Sequence, residues 1–268
     1  MVGVSVARPL AAPVGAASGE DRHRSPGETA NLLLLELPPS TFGQVMDRLQ
    51  RVTVSFHQTV IAAGDEIRTV YFPETAVFSE VVRLSDGATA EINLVGFEGM
   101  AGLSAYLDTR RSALDVMTLV PGNCLEMPVE VLRQLADQDP AIAHRLNLYA
   151  QAVLSVRAIA AGCDRLHPVQ TRLVRWLLKT RDRLDVDEFR FTQADIASML
   201  GVTRPTVTTN ALLLQDGGLI RYRRGRISIL DRTGLERLAC ECYWNVRDQF
   251  EQLHPFPSNR GRMTPSGD

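Results

Sequence analysis

Apolar and polar residues alternate in short runs over residues 52–127, a pattern typical of half-buried β-strands. Turn sequences separate these runs, and the clearest is Asp86-Gly87, which predicts a β-hairpin. The predicted strands are residues 52–56, 70–72, 77–84, 88–95, 113–120 and 124–127. Many short strands at a spacing of about 8–12 residues predict an antiparallel sandwich, roll or barrel.

The pattern changes to a helical period after Pro128, and Pro140 stands where the first turn of a long helix tolerates proline. Along this helix apolar residues recur at alternating spacings of four and three, as in a two-stranded coiled coil. They are Ile142, Leu146, Tyr149, Val153, Val156, Ala160 and Cys163. The stripe predicts a homodimer seam. The alternative is that the same stripe packs against the sheets of its own chain.

Two helices joined by a tight turn are predicted over residues 191–210. Thr192 and Asp195 have the spacing of a capping box, with a shorter acid than usual. Gly201 supplies the turn, and Thr203 is predicted to cap a second helix whose first turn accepts Pro205. This arrangement is typical of a helix-turn-helix.

Two short β-type runs, residues 219–222 and 226–230, flank Arg223-Arg224-Gly225 and predict a wing with a basic tip. The arginines of this region are Arg204, Arg221, Arg223, Arg224 and Arg226, and the only acid assigned to it is Asp216. Such a local positive surface is what binding to the phosphates of double-stranded DNA requires. For the tip, the alternative is an ordinary solvated turn.

Composition adds few restrictions. The 268 residues are 45% hydrophobic and carry a net charge of -2, which leaves room for two domains and does not exclude a local basic face. No run approaches the roughly 18 apolar residues of a membrane span, and the N-terminus lacks the pattern of a secretory signal. We therefore expect a cytoplasmic protein with no membrane partner.

The sequence predicts an α+β chain in five parts. Residues 1–29 and 253–268 are rich in small, polar and proline residues and are predicted to be a disordered leader and tail. Between them we expect a β-roll sensor domain at 30–136, a dimerisation helix at 137–164 and a winged helix-turn-helix domain at 165–252.

Several motifs of this chain together resemble the superfamily of the cyclic-AMP receptor protein and the fumarate-nitrate reduction regulator of bacteria. The resemblance covers residues 30 to about 245. Its marks, besides the winged helix-turn-helix, are the runs at residues 70–75, 96–103, 111–113 and 164–167, with Arg172-Leu173 beyond them. The resemblance implies a β-roll resembling a cyclic-nucleotide-binding domain, a dimerising helix, DNA binding, and RNA polymerase as a further partner.

The family's DNA-binding residues match this chain only in part. The resemblance implies a guanine-reading arginine at Arg204 and phosphate-contacting hydroxyls at Thr192, Thr203 and Thr206. The remaining predicted DNA-binding residues are Thr208, Thr209, Arg223, Arg224 and Arg226. Pro205 replaces the family's base-reading glutamate, Thr209 replaces a second arginine, and Asn210 takes a normally apolar position. The family's usual operator is therefore not expected.

The residues that hold a cyclic nucleotide in this family are also only partly present. Arg111 and Ser112 match the pair that binds the cyclic phosphate, and Gly99 matches the glycine before the ribose-binding glutamate. Met100 stands where that glutamate would be, and methionine is a poor hydrogen-bond acceptor. We expect that cyclic AMP is not the effector, whose identity the sequence leaves open. Arg111 is equally well interpreted as a solvated or ion-paired loop residue.

No cofactor or metal is expected from the sequence. Cys124, Cys163, Cys240 and Cys242 form no CxxC pair, and Cys240 and Cys242 are predicted to point to different faces of a helix. Haem is also poorly supported, since His57, His144 and His167 are interpreted as structural. Two other classes of protein stay open: a cupin-like oxygenase, for which only His57 is suitably placed, and an interaction module whose helix-turn-helix no longer binds DNA.

Overall fold

The computed structural model describes residues 28–184 and 186–254. Most of the predicted leader and tail therefore lies outside the described residues.

The N-terminal half forms the predicted antiparallel roll. One sheet has the strand order β1-β7-β3 and the other β2-β6-β4-β5. The strands are β1 (Gln50–Val54), β2 (Thr59–Ile61), β3 (Thr69–Pro73), β4 (Val77–Arg83), β5 (Thr89–Val95), β6 (Asp115–Val120) and β7 (Gly122–Pro128). The short helices are α1 (Leu32–Leu35), α2 (Pro39–Met46) and α3 (Leu103–Tyr106). The Asp86-Gly87 turn joins β4 to β5 as predicted, with Gly87 at φ +86°. Strand β2 was not predicted, because three residues are too few for a period.

Three helices connect the roll to the rest of the chain: α4 (Val129–Gln138), α5 (Pro140–Leu166) and α6 (Val169–Leu184). The start of α5 at Pro140 is confirmed, and the Asp139 side chain caps it by accepting a hydrogen bond from Ala141 N. His167 is the C-cap of α5, and Pro168 follows it in the link to α6.

The C-terminal third contains the helix-turn-helix and its wing. Its elements are β8 (Glu188–Arg190), α7 (Gln193–Leu200), α8 (Arg204–Asp216), β9 (Ile220–Arg223), β10 (Arg226–Ile229), α9 (Arg232–Leu238) and α10 (Glu241–Leu253). The strands form an antiparallel sheet in the order β8-β10-β9. β8 was not predicted.

The last described helix, α10, runs back along α5 toward the roll. His254, directly after α10, is 2% exposed and lies 2.9 Å from the Arg145 guanidinium and 2.8 Å from the carbonyl oxygen of Glu98. Leu253 is buried in the core of the roll. The prediction that these two residues belong to a disordered tail is wrong, because α10 carries them onto α5 and the roll.

Two hydrophobic cores hold the chain together. The first lies between the sheets and includes α4 and the first half of α5. The second belongs to the helix-turn-helix region but also takes in Val77, Leu94 and Leu119 from the roll. A mostly buried ion pair, Arg183 to Glu98 at 2.7 Å, crosses the same boundary. The helix-turn-helix region is therefore packed against the roll rather than connected to it only through the chain.

The predicted dimer seam of α5 is covered by the chain itself. All seven residues are buried, with exposures between 1% for Val156 and 8% for Ala160. The roll, α4 and α10 already occupy that face. These residues therefore pack against their own chain, as in the alternative interpretation of the stripe, and a partner helix would need another face of α5. α5 is also the one described helix that is long and apolar enough to cross a membrane, with 44% of its most apolar window buried. A core helix passes the same test.

Candidate nucleic-acid interface

The helix-turn-helix is built on the predicted local signals. The Thr192 hydroxyl accepts a hydrogen bond from Asp195 N, and the Asp195 carboxylate accepts one from Thr192 N, which confirms the capping box. Gly201 ends α7 in the left-handed conformation, at φ 62° and ψ 40°, where a side chain would be strained. Thr203 is the N-cap residue of α8 and Pro205 is in its first turn, but the predicted side-chain cap is absent, because the Thr203 hydroxyl bonds to the Thr206 hydroxyl instead. The turn therefore sets α8 against α7 as in a helix-turn-helix.

Helix α8 has one apolar face and one exposed face. Val207, Ala211 and Leu214 are buried against α6 and α7. Arg204, Pro205 and Thr209 are exposed at the N-terminal half of the opposite face. This half is where a recognition helix presents side chains to the major groove.

The threonines of the predicted interface differ in how free their hydroxyl groups are. The Thr192 hydroxyl also donates to the Asp195 carboxylate at 2.8 Å, and the Thr208 hydroxyl donates to Gln193 Oε1 at 2.8 Å. Both groups therefore hold α7 and α8 in place. Thr203 and Thr206 bond to each other through their hydroxyls, and Thr209 bonds to the carbonyl of Pro205. A hydroxyl group binds a phosphate oxygen by donating its hydrogen. A threonine whose hydrogen is already used in one of these bonds would therefore need to reorient before it could contact a phosphate.

The wing is the hairpin β9–β10, whose tight turn places Arg224 at φ 52° and Gly225 at φ 74°. Arg221, Arg223 and Arg224 are exposed and form no ion pair with any residue that the structure describes. Arg204 shares this property and lies close enough to Tyr222 to oppose the rise of the Tyr222 pKa that burial causes. Four guanidinium groups without a described ion-pair partner therefore lie on α8 and on the wing, whose strand β9 contacts α8.

Arg226 differs from the other wing arginines because it has a carboxylate partner. It is paired with Glu188 of β8, which also accepts a hydrogen bond from the Ser228 hydroxyl at 3.0 Å. The hydrogen bond from Arg226 lowers the Glu188 pKa, so the pair stays ionised at neutral pH. The prediction that Asp216 is the only acid of this region is wrong, because β8 brings Glu188 to the wing from 38 residues away.

The predicted phosphate-binding side chains are both bonded to backbone carbonyl groups of the chain itself. The exposed Arg111 side chain donates to the carbonyl of Gly64 at 2.7 Å, and the Ser112 hydroxyl donates to the carbonyl of Leu114 at 2.6 Å. Two cavities of about 20 and 10 Å³ lie elsewhere in the described chain.

Tyr149 of α5 takes up the space beside Gly99 and Met100. Its hydroxyl donates to the carbonyl of Met100 at 3.1 Å, and a Cβ atom on Gly99 would lie 2.2 Å from the phenol oxygen. Met100 itself is 1% exposed and belongs to the roll's core. The position that would hold a ribose-binding carboxylate is therefore filled by packed side chains.

Three of the four cysteines come together with a histidine, contrary to the expectation from their spacing. Cys163, His167, Cys240 and Cys242 place one ligand atom each within 4.8 Å of all the others. The prediction that Cys240 and Cys242 face apart failed because Cys240 is the extended N-cap of α10 and only Cys242 is in the helix. Likewise His167 is the C-cap of α5 rather than part of a helix.

Two known domain families match separate parts of the chain. The cyclic nucleotide-binding domain family matches residues 51–139, and the Crp-like helix-turn-helix domain family matches residues 171–238. The first match covers β1 to the end of α4, and the second covers α6 to α9. No curated protein matches the chain.

Solved structures of bacterial regulators share the fold. The regulator CLP of Xanthomonas campestris, described as responsive to c-di-GMP, is 17% identical with a TM-score of 0.62, over 72% of this chain and all of that one. FixK2 of Bradyrhizobium japonicum is 18% identical with a TM-score of 0.59, over 72% and 98%. A Crp/Fnr-family regulator of Eubacterium rectale is 20% identical with a TM-score of 0.58, over 77% and 96%.

Proposed function

This chain belongs to the Crp/Fnr superfamily of DNA-binding transcription regulators, and from that premise we propose that it is a homodimer that reads operator DNA with α8. The observation that carries the proposal is a set of four exposed guanidinium groups on α8 and on the wing that contacts it, none ion-paired with a described residue: Arg204, Arg221, Arg223 and Arg224. Arg204 contacts a base edge in this proposal, and the wing arginines contact phosphates.

The partner subunit, in this proposal, lies on the exposed face of α5. Leu154 is 61% exposed there, and Ala158 and Ala161 are exposed small residues on the same side. Gln151, Leu154, Ala158, Ala161 and Arg165 follow the three-four spacing of a coiled-coil seam. Apolar and small side chains along an exposed helix face favour close approach of a second helix.

The sensor domain, we infer, does not use cyclic AMP. Tyr149 and Met100 fill the place of the ribose partner. The Arg111 side chain bonds to the carbonyl of Gly64 on a neighbouring loop, and the Ser112 hydroxyl bonds to the carbonyl of Leu114. We therefore expect that an effector of this domain does not bind in the way that a cyclic nucleotide binds in the family.

The cellular setting follows from the proposed function. A regulator of this type works in the cytoplasm, where it reaches both DNA and RNA polymerase, and it needs no enzymatic activity. A cupin-like oxygenase is disfavoured because His57, the histidine proposed for it, stacks on Phe56 at 3.8 Å instead of meeting other ligands.

A mobility-shift titration of genomic DNA fragments over a salt series tests the proposal, with bound sites mapped genome-wide to supply the operator. We expect the protein to bind DNA, and we expect the logarithm of its association constant to fall linearly with the logarithm of the salt concentration. An absence of salt-sensitive binding, even at low ionic strength, would instead favour the interaction module suggested by Pro205, Thr209 and Asn210.

A further inference from the structure

Three thiols and one imidazole meet where α5 ends and α10 begins. Cys163 Sγ lies 3.7 Å from Cys240 Sγ, and His167 Nδ1 lies 3.5 Å from Cys163 Sγ and 3.6 Å from Cys242 Sγ. The three cysteines are buried and His167 is half-buried. The cysteines are free thiols, and no part of the DNA-binding proposal uses them.

These distances match the edges of a tetrahedron around a single metal ion. Zn–S bonds of about 2.3 Å and a Zn–N bond of about 2.0 Å place tetrahedral ligand atoms roughly 3.5–3.8 Å apart. An iron-sulfur cluster spreads its four ligands around a larger cage, so ligand atoms all within 4.8 Å are too close for it. Thiolate-rich sets with one imidazole favour Zn²⁺ over hard cations.

We propose that Cys163, His167, Cys240 and Cys242 bind one Zn²⁺ ion as a closed, structural Cys₃His site. Four protein ligands leave no open position for water or substrate, which is the mark of a structural site rather than a catalytic one.

The surroundings of His167 support this assignment. Its Nδ1 faces the sulfur atoms, and its Nε2 lies 3.4 Å from Glu241 Oε1. A metal-bound histidine usually donates its other N–H to a carboxylate or carbonyl, which orients the ring. Glu241 is thus a positioning residue.

The site joins two segments that are distant in sequence, residues 163–167 and 240–242. Cys163 is in the last turn of α5, His167 is in the link to α6, and Cys240 and Cys242 are at the start of α10. A bound ion would therefore hold the link between α5 and α6 at one angle, and with it the orientation of the DNA-binding domain relative to α5. This consequence rests on the proposed function, whereas metal binding does not.

Metal content of the full-length protein is the first test. Protein purified from zinc-supplemented cells without chelators should contain one zinc per chain by mass spectrometry of the metals. The variants Cys163→Ser and Cys240→Ser should lose it. The matched control is Cys124→Ser, because Cys124 is also buried but lies in the core of the roll. Glu241→Gln should retain the ion, with a metal affinity lower by about tenfold. This loss is small for a residue that orients a metal ligand, because Glu241 is largely exposed.

A titration of metal-free wild-type protein with Co²⁺ avoids dependence on variants that fail to fold. We expect the intense visible absorption of tetrahedral cobalt, with thiolate charge-transfer bands, saturating at one equivalent and displaced by zinc. Octahedral spectra, no saturable binding, or a Cys163–Cys240 disulfide in freshly purified protein would overturn the proposal. Because the readout is the metal, it is independent of whether the protein binds DNA.

Discussion

Arg204 and the wing arginines share the same charge but differ in position. Arg204 is the first residue of α8, whereas Arg223 and Arg224 are at the tip of the wing. A side chain at the start of a recognition helix reaches base edges in the major groove, and a wing tip faces the sugar-phosphate backbone. Removal of the two kinds of arginine should therefore have different consequences.

Arg204→Ala should cost about 1–3 kcal/mol on the true operator and little on random DNA, because in the proposed complex it would remove the bidentate hydrogen bonds to guanine. Arg223→Ala with Arg224→Ala should weaken all sequences alike and lower the salt slope by roughly one for each phosphate that is no longer neutralised. Binding to specific and random duplexes across salt measures both effects. Equal weakening of both duplexes by Arg204→Ala would mean that Arg204 binds a phosphate and would leave base reading to Thr208, Thr209 or Asn210.

The residues around Met100 give a second prediction. Calorimetric titration with cyclic AMP at physiological concentration should show no heat, because Tyr149 and Met100 fill the ribose position. Arg111→Ala should leave DNA binding unchanged for the same reason. Saturable micromolar binding together with nucleotide-dependent operator affinity would restore Arg111 and Ser112 as phosphate ligands.

At the scale of elements, α5 has two apolar faces with different roles. One face is buried in the chain, and the other exposes Leu154, Ala158 and Ala161. The spacing of apolar residues alone does not tell which of two stripes meets a partner, since both satisfy a three-four repeat. The proposed dimer is therefore tested on the exposed face.

Leu154→Glu combined with Ala158→Glu should give monomers in sedimentation velocity and weaken operator binding, because it places like charges opposite each other across the two-fold axis. Leu84→Glu is the control, since Leu84 is 56% exposed and lies in the β4–β5 turn of the roll. Substitution of Leu146 and Val153, both 3% exposed, by Asp should unfold the chain instead. A folded Leu154→Glu, Ala158→Glu dimer would contradict this assignment of the seam.

At the scale of the whole molecule, α10 fastens the C-terminal region to the sensor. His254 accepts from Arg145 through Nδ1 and donates to the carbonyl of Glu98 through Nε2, an arrangement that requires a neutral ring. Burial lowers its pKa below 6.5; the hydrogen bond to Glu98 and the nearby Glu98 and Glu36 carboxylates oppose this, and Arg145 reinforces it. Protonation would place a positive ring against a positive guanidinium.

The sign of the pH effect follows from that shift. The unfolded chain binds the proton on His254 more tightly than the folded chain does. Above pH 6.5 His254 should therefore have no effect on stability, and as the pH falls below 6.5 its protonation should increasingly destabilise the docking of α10 onto α5 and the roll. Hydrogen exchange at the end of α10 should accelerate in that range. His254→Gln keeps one donor and one acceptor without titrating, so it should abolish the pH step. A step that persists in this variant would have another source.

Local patterns predicted most of the fold and part of the interface. Each of the signals that succeeded acts within a few residues, so the sequence displays it directly. They are the two-residue period, the Asp86-Gly87 turn, the helix start at Pro140 and the Thr192–Asp195 capping box. Short elements such as β2 and β8 escaped because three residues carry no period.

The sequence by itself determined the order of the domains, the two helices of the helix-turn-helix and the basic wing, because backbone preference and side-chain period are local properties. Only the tertiary structure decided which face of α5 is covered, that Glu188 neutralises Arg226, and that Cys163 meets Cys240 across 77 residues. Such pairings depend on how elements pack in three dimensions. The spacing of residues along the chain does not determine the distance between remote segments that the fold brings together.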